Sequence, residues 1–179
     1  MNELEQFKST YYSDNKKCTV FKSEQKHDLA NKICSQFGQD ELFAKSVYTI
    51  RDTNKVYIDY PVFKLFVNPR NYKEFVLFCQ NIFNQTIKRH GTFECHVNLL
   101  SLTISAVERH QRLVELFCTD PSERGGVEYT NYLIKVYIYN TPSVIDNITN
   151  LLKKLLDPDI MKRLVKFTRE ETQFQLSAL

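Results

Sequence analysis

Apolar residues along most of the chain follow one of two spacings, and each spacing predicts one kind of secondary structure. Runs rich in β-branched and aromatic residues predict strands over 55–68, 92–100 and 131–140. The intervening segments 69–91 and 103–117 repeat their apolar side chains with the helical period. Strands that alternate with helices of this length are typical of βαβ units. The sequence therefore predicts an α/β fold with a mostly parallel, twisted sheet and βαβ crossovers.

The first 45 residues differ from the rest because they are polar and only weakly periodic. Leu29 and Ile33 lie four residues apart ahead of Gly38, a residue that commonly ends helices. We interpret residues 1–45 as a polar N-terminal helical appendage. Residues 46–179 contain no Pro-, Gly- or Ser-rich linker, so we predict that they form one domain.

Two amphipathic helices are predicted in tandem after the third strand. The first helix begins with Thr141 as N-cap and Pro142 at its first position, and the second begins with Asp157 and Pro158 in the same roles. Helices of this kind either cover a packed core or lie over an open cavity, and periodicity alone does not distinguish these two arrangements. The first helix has a wide apolar face that consists of Val144, Ile145, Ile148, Leu151, Leu152, Leu155 and Leu156.

The run "VYIYNTPSVIDNITNLLKKLLDPDIMKRL" resembles the signature of the CRAL-TRIO (Sec14-like) lipid-binding domain. In that family a strand ends in an Asn-Ala-Pro turn, and a helix then leads to a Phe-Leu-Asp-Pro step and a second helix. Residues 140–142 and 155–158 correspond to these two elements. The upstream segments "VNLLSLTISAV" and "KVYIDYPVFKLFVNPRNYKEFVLFCQNIFN" are similar to preceding family segments in the same order. The resemblance covers roughly residues 47–167.

The resemblance implies a sheet that forms the floor of an apolar cavity, with the two C-terminal helices as a gate over its opening. It implies a hydrophobic ligand, such as a phospholipid, a sterol or another isoprenoid, that is bound and transferred or presented at a membrane surface. Thr103, Ser105 and Arg163 correspond to the family's polar phosphate contacts, and the apolar face of the first helix would line the cavity. The cations expected to contact anionic headgroups are Lys153, Lys154, Lys162 and Lys166.

Some features depart from the family pattern. The segment Tyr129–Tyr132 stands where phosphatidylinositol-binding members carry Tyr-Pro-Glu-Arg, and Asn98 and Ser101 replace the usual Asp and Gly of a turn. The family's closing Leu-Pro-x-x-Tyr/Phe-Gly-Gly segment has no counterpart. The chain thus resembles a short, divergent member. The alternative is a protein-interaction module of the same fold with a closed pocket.

Charge and cysteine content indicate which partners and which cellular compartment to expect. The net charge of +3 arises from 24 basic and 21 acidic residues spread along the chain, so no concentrated field for nucleic acid is expected. The five cysteines are unclustered, which favours a reducing compartment over a disulfide framework. The first residues lack the pattern of a signal peptide. We therefore expect a cytoplasmic protein, and the resemblance implies peripheral association with membranes.

Three segments contain residue types that occur in catalytic, metal or phosphate sites. "RHGTFECH" brings His90, Cys95 and His96 close in sequence, but neighbouring strand residues point to opposite faces. "ERHQRLVEL" is typical of a solvated helix face with paired charges. "DPSERGGVEYTN" contains a Gly pair without either of the common phosphate-loop spacings. We expect no catalytic residues, no metal and no cofactor, and hence not an enzyme.

Overall fold

The computed structural model describes residues 3–16, 20, 22–119, 127–152, 155 and 157–176. These residues form an α/β fold with helices around a five-stranded, mostly parallel sheet, as the apolar pattern predicted. The strands are β1 (Val47–Thr49), β2 (Lys55–Asp59), β3 (Phe93–Asn98), β4 (Leu133–Tyr139) and β5 (Leu164–Lys166). The helices are α1 (Glu3–Asp14), α2 (Lys22–Phe37), α3 (Gln39–Ser46), α4 (Tyr60–Phe66), α5 (Tyr72–His90), α6 (Ile104–Arg109), α7 (Gln111–Thr119), α8 (Ile145–Leu152), α9 (Pro158–Lys162) and α10 (Arg169–Leu176).

The strand order in the sheet follows the order of the chain, from β1 to β5. Only the β1–β2 pair is antiparallel, and the three following pairs are parallel. When consecutive parallel strands are neighbours, right-handed crossovers all pass over the same face of the sheet. We call this the helical face. Helices α4 and α5 connect β2 to β3, α6 and α7 lie between β3 and β4, and α8 and α9 lie between β4 and β5.

The first predicted strand is shorter than expected. The pattern predicted a strand over 55–68, but β2 ends at Asp59 and α4 follows at once. Pro61 lies in the first turn of α4, where its fixed φ angle suits a helix and its missing N–H costs nothing. Tyr60, Phe63 and Phe66 are buried on one side of that helix. In so short a run, the spacing of the apolar residues fits a helix as well as a strand, so periodicity does not distinguish the two structures.

The second C-terminal helix is short, and a strand follows it directly. Helix α9 ends at Lys162, and β5 then joins the edge of β4. The N–H of Val136 donates to the carbonyl of Arg163 at 3.1 Å, and the N–H of Phe167 donates to the carbonyl of Ile138 at 2.8 Å. The tandem helices therefore form a crossover connection between two parallel strands.

The N-terminal helices contribute to the hydrophobic core of the described residues. Leu4 on α1 and Leu29 and Ile33 on α2 are buried in the same cluster as Phe66 of α4. Helix α2 ends before Gly38, whose φ of 78° is a left-handed value that favours glycine. The predicted end of the helix at this glycine agrees with the structure, whereas the division of the chain near residue 45 stays a prediction.

Beneath α3, α4 and α5 the core is filled by aromatic rings. The ring of Phe43 lies 5.8 Å from that of Phe66 and 5.2 Å from that of Phe75. Further along the sheet, the rings of Phe83 and Phe93 stack at 5.0 Å. We call this region, under α3 to α5, the filled half of the helical face.

The opposite face of the sheet is also aromatic. His96 stacks on Tyr137 at 4.8 Å, and its Nδ1 lies 2.8 Å from the hydroxyl of Tyr139. Cys95, the residue before His96, is buried in the hydrophobic core, so the two side chains lie on different faces. None of the helices in the described part of the chain is long and apolar enough to cross a membrane.

Candidate functional site

An apolar pocket of about 320 Å³ lies on the helical face beside the filled half. Its floor is formed by alternate residues of three neighbouring parallel strands, because side chains two apart on a strand share a face. These residues are Val97 of β3, Val136 and Ile138 of β4, and Leu164 of β5. We call this region, between the sheet and helices α6 to α9, the hollow half.

The walls of the pocket come from the crossovers on either side. Ala106 and Val107 on α6, and Leu113 and Val114 on α7, supply an aliphatic wall. Tyr60 and Phe63 on α4 line the border with the filled half, and Phe63 also contacts the ring of Phe75 at 5.3 Å. One helix thus separates a packed region from an open one.

Helix α8 roofs the pocket. Ile145, Ile148 and Leu152 all line it, at the spacing of one helix face. Ile148 is only 4% exposed, which shows that this face is turned inward. Ile160 of α9 completes the roof. Part of the apolar face that the sequence predicted as ligand-contacting is therefore brought together over the pocket.

The other residues predicted for that face do not join the described lining. Val144 and Leu155 are half-buried and lie outside it. The side chain of Leu151 is not described, and Leu156 lies outside the described residues. The predicted role of Leu151 and Leu156 stays a prediction.

His110, between α6 and α7, is the strongly polar side chain on the pocket wall. Its Nδ1 lies 2.9 Å from the hydroxyl of Tyr72, and that hydroxyl lies 3.2 Å from the carbonyl of Arg109. A carbonyl only accepts, so both contacts are satisfied when Nδ1–H donates to Tyr72 and the hydroxyl donates to Arg109. The Nε2 atom of His110 is buried and has no hydrogen-bond partner among the described residues.

Burial keeps His110 uncharged at neutral pH. Desolvation, together with the nearby charge of Arg109, lowers the pKa of His110 to about 3. A neutral imidazole is compatible with apolar surroundings, whereas an imidazolium there would be strongly disfavoured. The pocket wall therefore carries a hydrogen-bonding atom without carrying a charge.

Thr103 and Ser105, predicted as polar ligand contacts, lie together at the start of α6. Their hydroxyl oxygens are 3.2 Å apart, and the Thr103 hydroxyl accepts a hydrogen bond from the N–H of Ala106 at 3.3 Å. Thr103 is therefore the N-cap of α6. Both residues are exposed and lie outside the apolar pocket, although Thr103 borders a second, basic pocket.

Arg163 is not brought together with Thr103 and Ser105. Its guanidinium donates to the carbonyl of Thr130 at 2.6 Å and also to the carbonyl of Leu133, at the start of β4. The loop that carries Thr103 follows the opposite end of the sheet, since the N–H of Leu99 donates to the carbonyl of Tyr139. Along β4 these two ends are about 20 Å apart. In the structure, Arg163 therefore connects the segment at Thr130 to the start of β4.

The described lysines that were predicted to contact a membrane form ion pairs with different carboxylates. Lys162 is exposed and pairs with Asp159 at 2.7 Å, and Lys166 lies 3.2 Å from Asp146. Ion pairs of this exposure are weak and leave a lysine able to exchange partners. Lys153 and Lys154 lie outside the described residues.

The strand-end residues of the sequence signature contact one another at the carboxyl edge of the sheet. The side-chain amide of Asn140 donates to Asn98 at 2.8 Å, and the amide of Asn98 donates to Asp59 at 3.1 Å. Asn140 has a φ of 51°, a left-handed value that Asn tolerates better than most residues. This chain of three side chains joins the ends of β2, β3 and β4. Helix α8 begins later, at Ile145, so Thr141 is not its N-cap as the sequence predicted.

Sequence reasoning missed most of the pocket lining. It located the roof but not the floor, because each floor residue is an ordinary apolar strand position until the strand order is known. His110 could have been identified from the sequence as a residue of the pocket wall. A lone histidine between the apolar residues Val107 and Leu113 of a helical stripe is a polar residue on an inward face.

The chain was compared with protein-family models and with curated protein sequences. No family model and no curated protein matches it.

Proposed function

We propose that this protein binds one hydrophobic ligand in the apolar pocket and presents or transfers it at membranes. The observation that carries the proposal is the pocket of about 320 Å³ with aliphatic floor and walls. Apolar concavities of roughly 300–1,000 Å³ with few polar groups are the usual form of small-molecule sites.

The size of the pocket narrows the ligand class. At the lower end of the usual range, its volume suits one acyl chain or a compact isoprenoid better than the two chains of a phospholipid. Most of the lining side chains are Val, Leu and Ile. They would select for apolar surface rather than for a particular shape.

Helix α8 is the element that we propose as the gate. Its inner face contributes Ile145, Ile148 and Leu152, while Asp146, Asn147 and Asn150 are exposed on its outer face. When α8 moves away near a bilayer, the inner face would meet acyl chains, and the gain in burial would offset the lost contacts with the pocket. This gate is the feature that the resemblance to CRAL-TRIO domains implies.

Native mass spectrometry of protein purified without detergent tests the proposal. We expect a stoichiometric mass increment that organic extraction removes and identifies as a lipid. Leu152→Trp places a large ring in the pocket, so this variant should carry no ligand. The matched control is Leu77→Trp, since Leu77 lies on α5, is 48% exposed and does not line the pocket.

An empty wild-type protein that also fails to take up added monooleoylglycerol would contradict lipid binding. If Leu152→Trp then abolished capture of a protein partner, the alternative of an interaction module would replace it. Retention of the ligand by Leu152→Trp would place the lipid elsewhere on the protein.

A further inference from the structure

A second pocket, of about 270 Å³, adjoins the apolar one and is basic. Its lining includes four cationic side chains, from Lys8, Lys26, Lys64 and Arg109, and no carboxylate among the described residues. We call it the basic pocket. Within the described chain these cations come from four different helices, α1, α2, α4 and α6, so the fold gathers them from distant parts of the sequence.

Hydroxyl groups stand beside these cations. Ser101 and Thr103, in the loop after β3, line the basic pocket, and the Lys64 ammonium donates to the Ser101 hydroxyl at 2.6 Å. The same ammonium lies 6.0 Å from the ring centroid of Tyr60. Ammonium, guanidinium and hydroxyl groups around one cavity are the donor set that recognises phosphate or carboxylate oxygens.

The positive charge of the basic pocket is only partly neutralised. Lys8 pairs with Glu5 at 2.8 Å, whereas Arg109 makes no ion pair with any described residue. Desolvation and the nearby charge of Lys8 both lower the pKa of Lys64, although Glu5 and Asp59 oppose this. An anionic ligand would remove the mutual repulsion of these cations.

The two pockets adjoin at Tyr60 on α4 and Ala106 on α6, which line both of them. Such a pair of adjoining cavities, one apolar and one cationic, is complementary to an amphiphile that has a chain and an anionic head.

We propose that the basic pocket binds the phosphate or carboxylate head of a single-chain lipid whose hydrocarbon chain occupies the apolar pocket. This inference rests on the proposed function and assigns its ligand class: an anionic amphiphile. It also gives the two N-terminal helices α1 and α2 a part in ligand binding, through Lys8 and Lys26.

The test compares 1-oleoyl lysophosphatidic acid with monooleoylglycerol, which has the same chain and no charge, by titration calorimetry below their micelle concentrations. We expect the charged lipid to bind the wild type about tenfold more tightly or better. Lys64→Gln with Arg109→Gln should abolish this preference and leave the affinity for monooleoylglycerol unchanged. The matched control is Arg51→Gln with Lys88→Gln, which removes the same charge from exposed positions outside both pockets.

Equal affinities for the two lipids, or an unchanged preference in the Lys64 and Arg109 variant, would overturn the inference and leave the proposed function standing. Failure of both lipids to bind would overturn both. If glycerol 3-phosphate competed as well as the charged lipid, the basic pocket would be a site for free phosphate. If the Lys64 and Arg109 variant does not fold, the double variant Lys8→Gln with Lys26→Gln tests the same inference. This second variant should also lower the preference for the charged lipid.

Discussion

The two halves of the helical face differ in how their interior is packed. In the filled half, α3 to α5 bring the rings of Phe43, Phe66 and Phe75 together with centroid distances of 5.2–6.4 Å. In the hollow half, α6 to α9 border a pocket of about 320 Å³ that is lined mainly by aliphatic side chains. Both halves lie on one continuous sheet, so the difference arises from the side chains and not from the topology.

The difference shows how one fold can combine a stable scaffold with a binding site. Aromatic rings fill large volumes and gain many contacts, whereas Val, Leu and Ile on well-separated elements leave space between them. The filled half should therefore carry most of the stability, and the hollow half most of the binding.

The largest expected effect comes from truncating one buried residue in each half. Phe66→Ala should lower the free energy of unfolding by about 3–5 kcal/mol, because Phe66 is fully buried among other rings. Ile148→Ala should cost about 2 kcal/mol, the lower end for an Ile to Ala change, because Ile148 already faces a pocket. Urea unfolding measures both, and equal losses would contradict the contrast.

The second prediction concerns pH and the hollow half. The pKa of His110 is about 3 in the folded protein, below its ordinary value, so the unfolded chain binds a proton more readily. The contribution of neutral His110 to the free energy of unfolding is thus fully present above about pH 6.5 and is lost as the pH falls toward 3. We expect a loss of about 2 kcal/mol between pH 7 and pH 5 from this residue.

His110→Gln should remove that component of the pH dependence, as measured by urea unfolding at several pH values. His90→Gln, at an exposed position at the end of α5, is the control. Burial also lowers the pKa of His96, so a dependence of the same sign should remain in the variant. An unchanged slope in His110→Gln would refute the assignment.

The third prediction uses enlargement instead of truncation. Val76 on α5 is 1% exposed in the filled half, and Val114 on α7 lines the pocket. Val76→Phe should lower the free energy of unfolding by about 1–3 kcal/mol through overpacking. Val114→Phe should change it by less than about 1 kcal/mol because open space is available. Thermal unfolding ranks the two variants, and the reverse order would show that the pocket closes in solution.

The smallest expected effect concerns the end of the roof. The Asp157 carboxylate caps α9 by accepting a hydrogen bond from the N–H of Asp159 at 2.7 Å. Asp157→Ala should lower the free energy of unfolding by about 0.5–1 kcal/mol, the usual cost of a lost N-cap. Asp157→Asn keeps a capping oxygen and should cost less. Identical effects of the two substitutions would show that the cap contributes nothing.

The sequence predicted the parts of this fold that depend on long periodic segments. Helix α5 and the inward face of α8 were anticipated because each repeats apolar residues over several turns. Strands β1 and β5 were not, since three residues are too few to set a period. The strand predicted over 55–68 ran through Pro61, a residue whose fixed φ angle suits the first turn of a helix.

The candidate site was predictable only in part. Ile145, Ile148 and Leu152 could be located because they share one helix face. The basic pocket could not, because Lys8, Lys26, Lys64 and Arg109 are far apart in sequence and meet only once the helices have packed. The placement of Arg163 was unforeseen for the same reason, since it depends on β5 joining β4.

Methyl NMR during a titration with monooleoylglycerol tests the contrast between the two halves most directly. We predict that the methyl resonances of Ile138, Ile148 and Leu152 shift and saturate at one equivalent, while those of Ile33 and Val56, which are fully buried in the hydrophobic core, stay in place. Unchanged resonances for Ile148 and Leu152, or equal shifts in both sets, would contradict the account.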